Sequence, residues 1–379
     1  MRIFTRLTFC TLFLVFTVNI LSVQAQDEPP RPGMARLSFQ LSSFANTSGY
    51  PPESIITMDN NLHILVTCAG GATVEELQAK NVNFIASQLR LLIDWNLIVQ
   101  VDNKFYTTFP ILYKDKIEYL RNLLESSAEI IGKYIAEDVN NLKSAFIERE
   151  KPGYEYTTMF SYILDELVWK EFEKRNIRVK TELTAAQPFW TGVLWALETP
   201  REFMMGTTSV VKEGVTFRFN WNQTLGNSVN QMLINLNEFN ILLSEYAEKG
   251  KVESPGVVSK FNQYNILDPS GNFVVPVIEE IGVDKVFNYS TQIAEKISAR
   301  FLQIIDFEHL QKELGTMNTL QAFAISYQEF MFELMEYCVR EGLVTMPGIF
   351  RDPGTASERD LGSLVLIIKS VDAGTEKDR

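Results

Sequence analysis

The chain has 379 residues, 46% of them apolar, and a formal net charge of −12. This is long for a single core and apolar enough for two or three well-packed domains. The acidic balance weighs against general binding to nucleic acid or anionic lipid, and three cysteines are too few for a disulfide scaffold.

Residues 1–25 read as a secretory signal peptide. Arg2 and Arg6 form a positive start, Phe9 to Ile20 an apolar run, and Val23-Gln24-Ala25 a compact cleavage site that leaves Gln26 as the new N-terminus. The run is short for a spanning helix, which needs about 20 apolar residues; retention as an uncleaved anchor is the alternative. Cleavage removes two arginines and no acid, taking the charge from −12 to −14. It leaves Cys68 and Cys338, which read as buried free thiols, with one long-range bridge as the alternative. The N-x-S/T sequons at Asn46, Asn222 and Asn288 carry no weight in a chain this rich in Asn, Ser and Thr.

Residues 26–57, opened by Pro29, Pro30, Pro32 and Gly33, are expected to form an extended leader with little regular structure. A compact unit follows from Asp59 to Leu112. A long helix then spans about Tyr113 to Glu148. Its apolar positions Ile117, Leu120, Leu124, Ala128, Ile131, Ile135, Val139, Leu142 and Phe146 are spaced three or four residues apart, as one face of a nearly straight helix requires. Lys151-Pro152-Gly153 ends it.

The second half opens with a helix over about Tyr156–Arg175 and an aromatic-rich strand, Phe189–Leu197. Thr207–Val211 and Val215–Trp221 alternate around Lys212-Glu213-Gly214 and read as a hairpin, with Phe217, Phe219 and Trp221 on a core face. Helices are expected over Ser228–Glu248, Asp284–Ile305 and Thr319–Glu341. A turn is expected at Asp268–Gly271, strands at Phe273–Ile278 and Leu364–Ile368, and a polar loop at Arg351–Asp360.

Within the compact unit, Asn60–Cys68 reads as a short helix closed by Gly70-Gly71. Thr73 caps a second helix, Val74–Ala79, whose first turn carries Glu75 and Glu76. A third helix starts near Asn83 and turns Ile85, Leu89, Leu92 and Ile93 inward. Leu97–Val101 and Lys104–Phe109 alternate around Asp102-Asn103 as a hairpin. The stretch GGATVEELQAKNVNFIASQLRLLIDWNLIVQVDNKFYTTFPIL resembles the winged helix-turn-helix domains of small bacterial regulators, whose exposed third helix reads the major groove. The resemblance implies readers at Asn83, Ser87, Arg90 and Asp94, with Lys104 at the wing. Of these only Arg90 and Lys104 can neutralise phosphate, so the unit reads as a packing or protein-contact scaffold.

Candidates for chemistry are few. His309 stands beside Glu308 and four residues before Glu313, and reads as a solvated helix surface. His63 lies in the apolar Leu62–Val66 run and reads as a core or edge residue. Glu329, Glu333 and Glu336 recur at helical spacing opposite Phe330, Leu334 and Tyr337, which makes an ordinary amphipathic face; paired carboxylates can also serve acid/base chemistry. No nucleophile elbow, phosphate-binding glycine loop, zinc motif or dinucleotide fingerprint occurs, and no cofactor is implied.

The expected fold is α+β and helix-rich. Residues 58–150 hold the winged-helix-like unit with its long helix, and residues 151–379 a larger helix-and-hairpin domain. The expected function is a non-catalytic protein-interaction or structural protein of the cell envelope, secreted or periplasmic. Its partners would be proteins, not nucleic acid, with no membrane span after cleavage and self-association through the 113–148 helix. The alternatives are a DNA-binding regulator on an uncleaved anchor and an envelope hydrolase using the C-terminal carboxylates.

Overall fold

The structure is a computed structural model that describes residues 38–42, 52–179, 190, 192–197, 205–222, 225, 236–352 and 354–370. The signal segment, with Ala25 and Gln26, the first part of the expected Ser228–Glu248 helix, and Phe189 lie outside these residues. The described chain is α+β and helix-rich. No helix among the described residues is long and apolar enough to cross a membrane.

The expected leader is more regular than its composition suggests. It supplies strand β1, Ser38–Ser42, and helix α1, Pro52–Ile56; Leu41, Ile55 and Ile56 are buried in a hydrophobic cluster. Helix α2 (Asn61–Thr67), α3 (Val74–Ala79), α4 (Ala86–Asp94) and the hairpin β2 (Ile98–Val101) and β3 (Lys104–Thr107) follow. Thr73 caps α3 as expected: its hydroxyl accepts from the Glu76 N–H at 3.2 Å, and the Glu76 carboxylate accepts from the Thr73 N–H at 2.8 Å. Leu65, Cys68, Leu77, Leu89, Leu92, Leu97 and Phe105 fill this smaller core. Helix α4 starts later than the sequence suggests. Ile85 is therefore its N-cap and 64% exposed, not an inward residue.

Strand β4 (Ile111–Leu112) leads into helix α5 (Lys114–Glu148), and all nine apolar positions predicted for that helix are buried. They lie in a second, larger core. The chain continues through α6 (Glu155–Thr157), a π-helix over Thr158–Leu167, and α7 (Val168–Lys174). Strand β5 (Val193–Leu197) comes next, then the hairpin β6 (Met205–Lys212) and β7 (Val215–Asn222). The hairpin turns at Glu213-Gly214, both with positive φ (52° and 74°), the signs a type I′ turn needs. Helices α8 (Leu236–Lys249) and α9 (Pro255–Gln263), strand β8 (Val277–Glu279), and helices α10 (Lys285–Ile304), α11 (Phe307–Leu314), α12 (Thr319–Arg340) and α13 (Gly348–Arg351) precede the last strand, β9 (Val365–Lys369). Helix α9 has no counterpart among the expected elements, and α11 is the helix whose surface is expected at His309. The expected 273–278 strand is shorter and later, and the polar 351–360 loop ends in a 3-10 turn, Glu358–Leu364.

Helix α5 is the axis of the larger core, with α10 and α12 packed along it. Gly132 permits the closest approach: a Cβ there would meet the Tyr337 ring of α12 at 2.2 Å. Phe172, Phe301, Phe323 and Tyr327 join α7, α10 and α12 through ring contacts of 4.8 to 6.2 Å, chiefly edge-to-face.

The sheets define how the two cores meet. In the order β1-β5-β4, β1 runs antiparallel and β4 parallel to β5. Because side chains alternate along a strand, Leu194 and Ile111 face the smaller core while Val193, Trp195 and Leu112 face the larger. Gln321 of α12 reinforces the junction by donating to the carbonyls of Thr108 (3.2 Å) and Trp190 (3.1 Å). The order β6-β7-β9-β8 forms the other sheet of the larger core.

Candidate functional site

Strand β7 alternates Val215, Phe217, Phe219 and Trp221 with Thr216, Arg218, Asn220 and Asn222. The aromatic set is buried in the larger core, as the alternation predicts. The polar set should then face water, yet Arg218, Asn220 and Asn222 are buried as well. Register places Asn220 opposite Thr207 and Arg218 opposite Ser209, also buried, so this side of the hairpin is a buried polar layer. The π-helix covers it.

The seam explains the widened helix. Two of its carbonyls, and that of Thr157 just before it, take side-chain donors. Thr157 receives the Ser161 hydroxyl at 2.8 Å and the Asn220 amide at 3.4 Å. Ser161 receives the Arg218 guanidinium, and Leu164 the Tyr327 hydroxyl at 2.7 Å. Donors that occupy helix carbonyls compete with the ordinary i→i−4 ladder, and such local insertions accompany bends and π-turns.

The π-helix brings charge to the same place. Arg218, 9% exposed at its side chain, contacts Glu166 directly and reaches Asp165 at 3.8 Å. Lys170 pairs with Glu166 at 2.7 Å and Glu280 at 3.4 Å. Glu280 also accepts from the Tyr162 hydroxyl at 3.0 Å and the Ser370 hydroxyl at 2.7 Å. Burial pushes Glu166 up, but Arg218 and then Lys170 outweigh it and leave the carboxyl below its ordinary range. Burial depresses Lys170, and Glu166 and Glu280 more than restore it. Asp165 goes the other way: burial raises it to about 7, with Arg218 opposing, Glu166 adding and the Thr207 hydroxyl opposing. Two adjacent carboxyls are thus driven apart, a pattern that accompanies functional sites and structural ion networks alike. The Arg218 Nε and the Asn220 Oδ1 are buried and have no hydrogen-bond partner among the described residues.

The residues singled out from sequence are not brought together. Ser87, Arg90 and Asp94 share the exposed face of α4. Asn83 is exposed but precedes that helix rather than belonging to it, and Lys104 is half-buried at the start of β3. Arg90 is tied to Asp94 at 2.9 Å. His309 is exposed on α11, 4.0 Å from Glu313 and edge-on to Tyr119. His63 is exposed, contrary to its expected core or edge position. Glu329 and Glu333 also depart from expectation: they are 3% and 8% exposed, not a solvated face. Arg121 of α5 holds Glu329 at 2.8 Å, which is what lets the carboxylate lie inside. Cys68 and Cys338 are free and buried. Among the described residues, no group of three or more His, Cys, Asp or Glu is placed to hold a metal.

A surface cleft of about 530 Å³, lined by residues including Lys251, Glu253, Asn262 and Ser270, contains none of these groups. The seam of Asp165, Glu166 and Arg218 leaves no spacing signal in the sequence, because the acidic pair of the π-helix meets its arginine from β7, more than fifty residues away. The usable signal was the repeat of long polar side chains at Arg218, Asn220 and Asn222 on a strand already assigned to the core. Comparison with family models, curated proteins and solved structures found no match to this chain.

Proposed function

We propose that the chain is an exported, non-catalytic interaction protein that uses a winged-helix scaffold to dock a protein partner in the cell envelope. Support for the scaffold comes from element order. Ala72, between α2 and α3, bridges to Phe105 of β3, with the Ala72 N–H donating at 3.0 Å and its carbonyl accepting at 2.8 Å. A helix, a bridging strand residue, two helices and a hairpin make the winged order. Export rests on the signal-like residues 1–25.

The observation that carries the docking role is the outward face of the wing. Val99 and Val101 are 42% and 52% exposed, and Val99 stands opposite Tyr106 in register. Strand β2 pairs only with β3 among the described residues. An apolar, uncharged strand with a free edge is a template for an added strand, so the partner presents an extended segment with apolar side chains at alternate positions. Helix α5, with exposed Ile130 and Tyr134, is the face for self-association. Among the described residues no comparable grouping favours the hydrolase, since His309 and Glu329 lie on different helices with different partners.

A photo-cross-linking residue at Val101, introduced into the full chain in producing cells, tests the reading. A discrete protein adduct at Val101, absent when the probe replaces exposed Glu118 on α5, is expected. No adduct at Val101, or the same pattern at both positions, defeats it.

A further inference from the structure

The geometry points to a proton-operated latch at the seam: Asp165 and Glu166 share Arg218, the seam closes with one proton aboard, and loss of that proton loosens the π-helix from the β6–β7 hairpin. The charge count leads there. Among the described residues, Asp165, Glu166 and Glu280 face two cations, Arg218 and Lys170. With every group ionised, the seam, whose three carboxylates are 17 to 22% exposed at their side chains, would carry one uncompensated negative charge in partial shelter from water, which is costly.

The contacts select where the proton resides. Glu280 has Lys170 and two hydroxyl donors, Tyr162 and Ser370. Glu166 has Arg218 and Lys170. Among the described residues, Asp165 has the Thr207 hydroxyl beside it and the 3.8 Å approach of a guanidinium whose NH groups already serve Ser161 and Glu166. It is the least compensated carboxyl, and burial accordingly raises it to about 7.

The groups facing Asp165 come from each packed element. Glu166 adjoins it on the π-helix, Arg218 comes from β7 and Thr207 from β6. Tyr327 comes from α12, its own phenol pushed far up by burial and then by the Asp165 charge. Lys170 of α7 lies one contact further, on Glu166. Helix α10 also packs against the π-helix, but Lys285 pairs with Glu148 and Lys296 with Asp138, while Glu295 and Arg300 are exposed.

The direction follows from linkage. The closed seam keeps a proton that an open, hydrated aspartate releases near its ordinary value of 3.8. Closure is therefore strongest in acid, weakens as pH rises toward about 7, and levels off above it. A single linked proton changes the opening equilibrium about tenfold per pH unit inside that window.

The test is amide hydrogen exchange of Thr158–Leu167 in the full chain from pH 5 to 8.5, corrected for intrinsic rates, in wild type and Asp165→Asn. Protection in wild type should fall about tenfold per pH unit up to about 7 and then level, while Asp165→Asn stays flat. A flat wild-type profile, or the same fall in the variant, overturns the latch. Carboxyl carbon NMR of wild type keeps the proposal falsifiable should the variant not fold. An Asp165 titration midpoint between about 6 and 8 supports it, and one outside that range overturns it.

Discussion

Leu194 and Trp195 are consecutive in β5 and belong to different hydrophobic cores. Leu194 pairs in register with Leu41 and Ile111 in the smaller core, while Trp195 stands beside Leu112 in the larger. One strand thus carries packing for both, and losing either side chain strains the other's support. Leu194→Ala should cost about 2–5 kcal/mol and Trp195→Ala about 3–5 kcal/mol. In urea, far-UV dichroism and tryptophan fluorescence should shift together for both variants, as a coupled pair of cores demands. A Leu194→Ala protein whose two signals separate widely would show that β5 does not couple them.

The buried thiols make a chemical prediction. Burial raises Cys68 to about 11, with Lys80 pulling slightly against it, and raises Cys338 to about 12. At pH 8 about one thiol in a thousand or fewer is then ionised, and the thiolate is the reactive form. An aromatic disulfide reagent should leave both unmodified over minutes in buffer and label both at once in denaturant. Stability should also fall as pH climbs from about 9, where the unfolded thiols ionise, toward 11, because the folded chain retains protons the unfolded chain has lost. Rapid native labelling of Cys68 would mean that its helix opens far more readily than its burial implies.

The sequence was legible where one element buries one face. The three- and four-residue steps of α5 named nine positions, and all nine are buried, because a straight helix against a core leaves that trace. The aromatic face of β7 was legible for the same reason. Its polar face was not: Arg218, Asn220 and Asn222 look solvated until the π-helix covers them, and the cover comes from a segment with no period-2 signal. Glu329 shows the same blindness, since its neutralising partner Arg121 lies 208 residues away in the chain. Ile85 failed on a smaller scale. The turn before α4 ends later than its neighbours suggest, which moves the residue from the inner face to an exposed cap.

Cleavage after Ala25 is a separate expectation, resting on the charged start, apolar run and compact Val23-Gln24-Ala25 junction. Mass spectrometry of the protein recovered from its producing cells should find Gln26, or its cyclised form, at the N-terminus. A full-length species confined to the cytoplasm would remove the export part of the proposed function and leave the fold untouched.

Failure to bind DNA is the prediction that divides the interaction protein from a regulator. Affinity for duplex DNA draws on counterion release, so a protein making six to ten phosphate contacts needs about that many placed cations. Between Asp59 and Leu112 there are three, Lys80, Arg90 and Lys104, against the five acids Asp59, Glu75, Glu76, Asp94 and Asp102. The arrangement weakens the set further. Arg90 is the only cation of α4, and Asp94 holds it at 2.9 Å on the face that would enter the groove. Lys104 is half-buried at the start of β3, and Lys80 precedes the helix. Fluorescence anisotropy of the full chain with mixed-sequence duplex at low salt, where electrostatics is strongest, should give a dissociation constant weaker than about 100 µM, the weak end of ordinary non-specific binding. Asp94→Asn frees one arginine and should improve binding by less than about tenfold, since one added phosphate contact cannot replace the missing others. Micromolar binding by wild type that falls steeply with added salt would assign the α4 face to groove reading and make the regulator the better account.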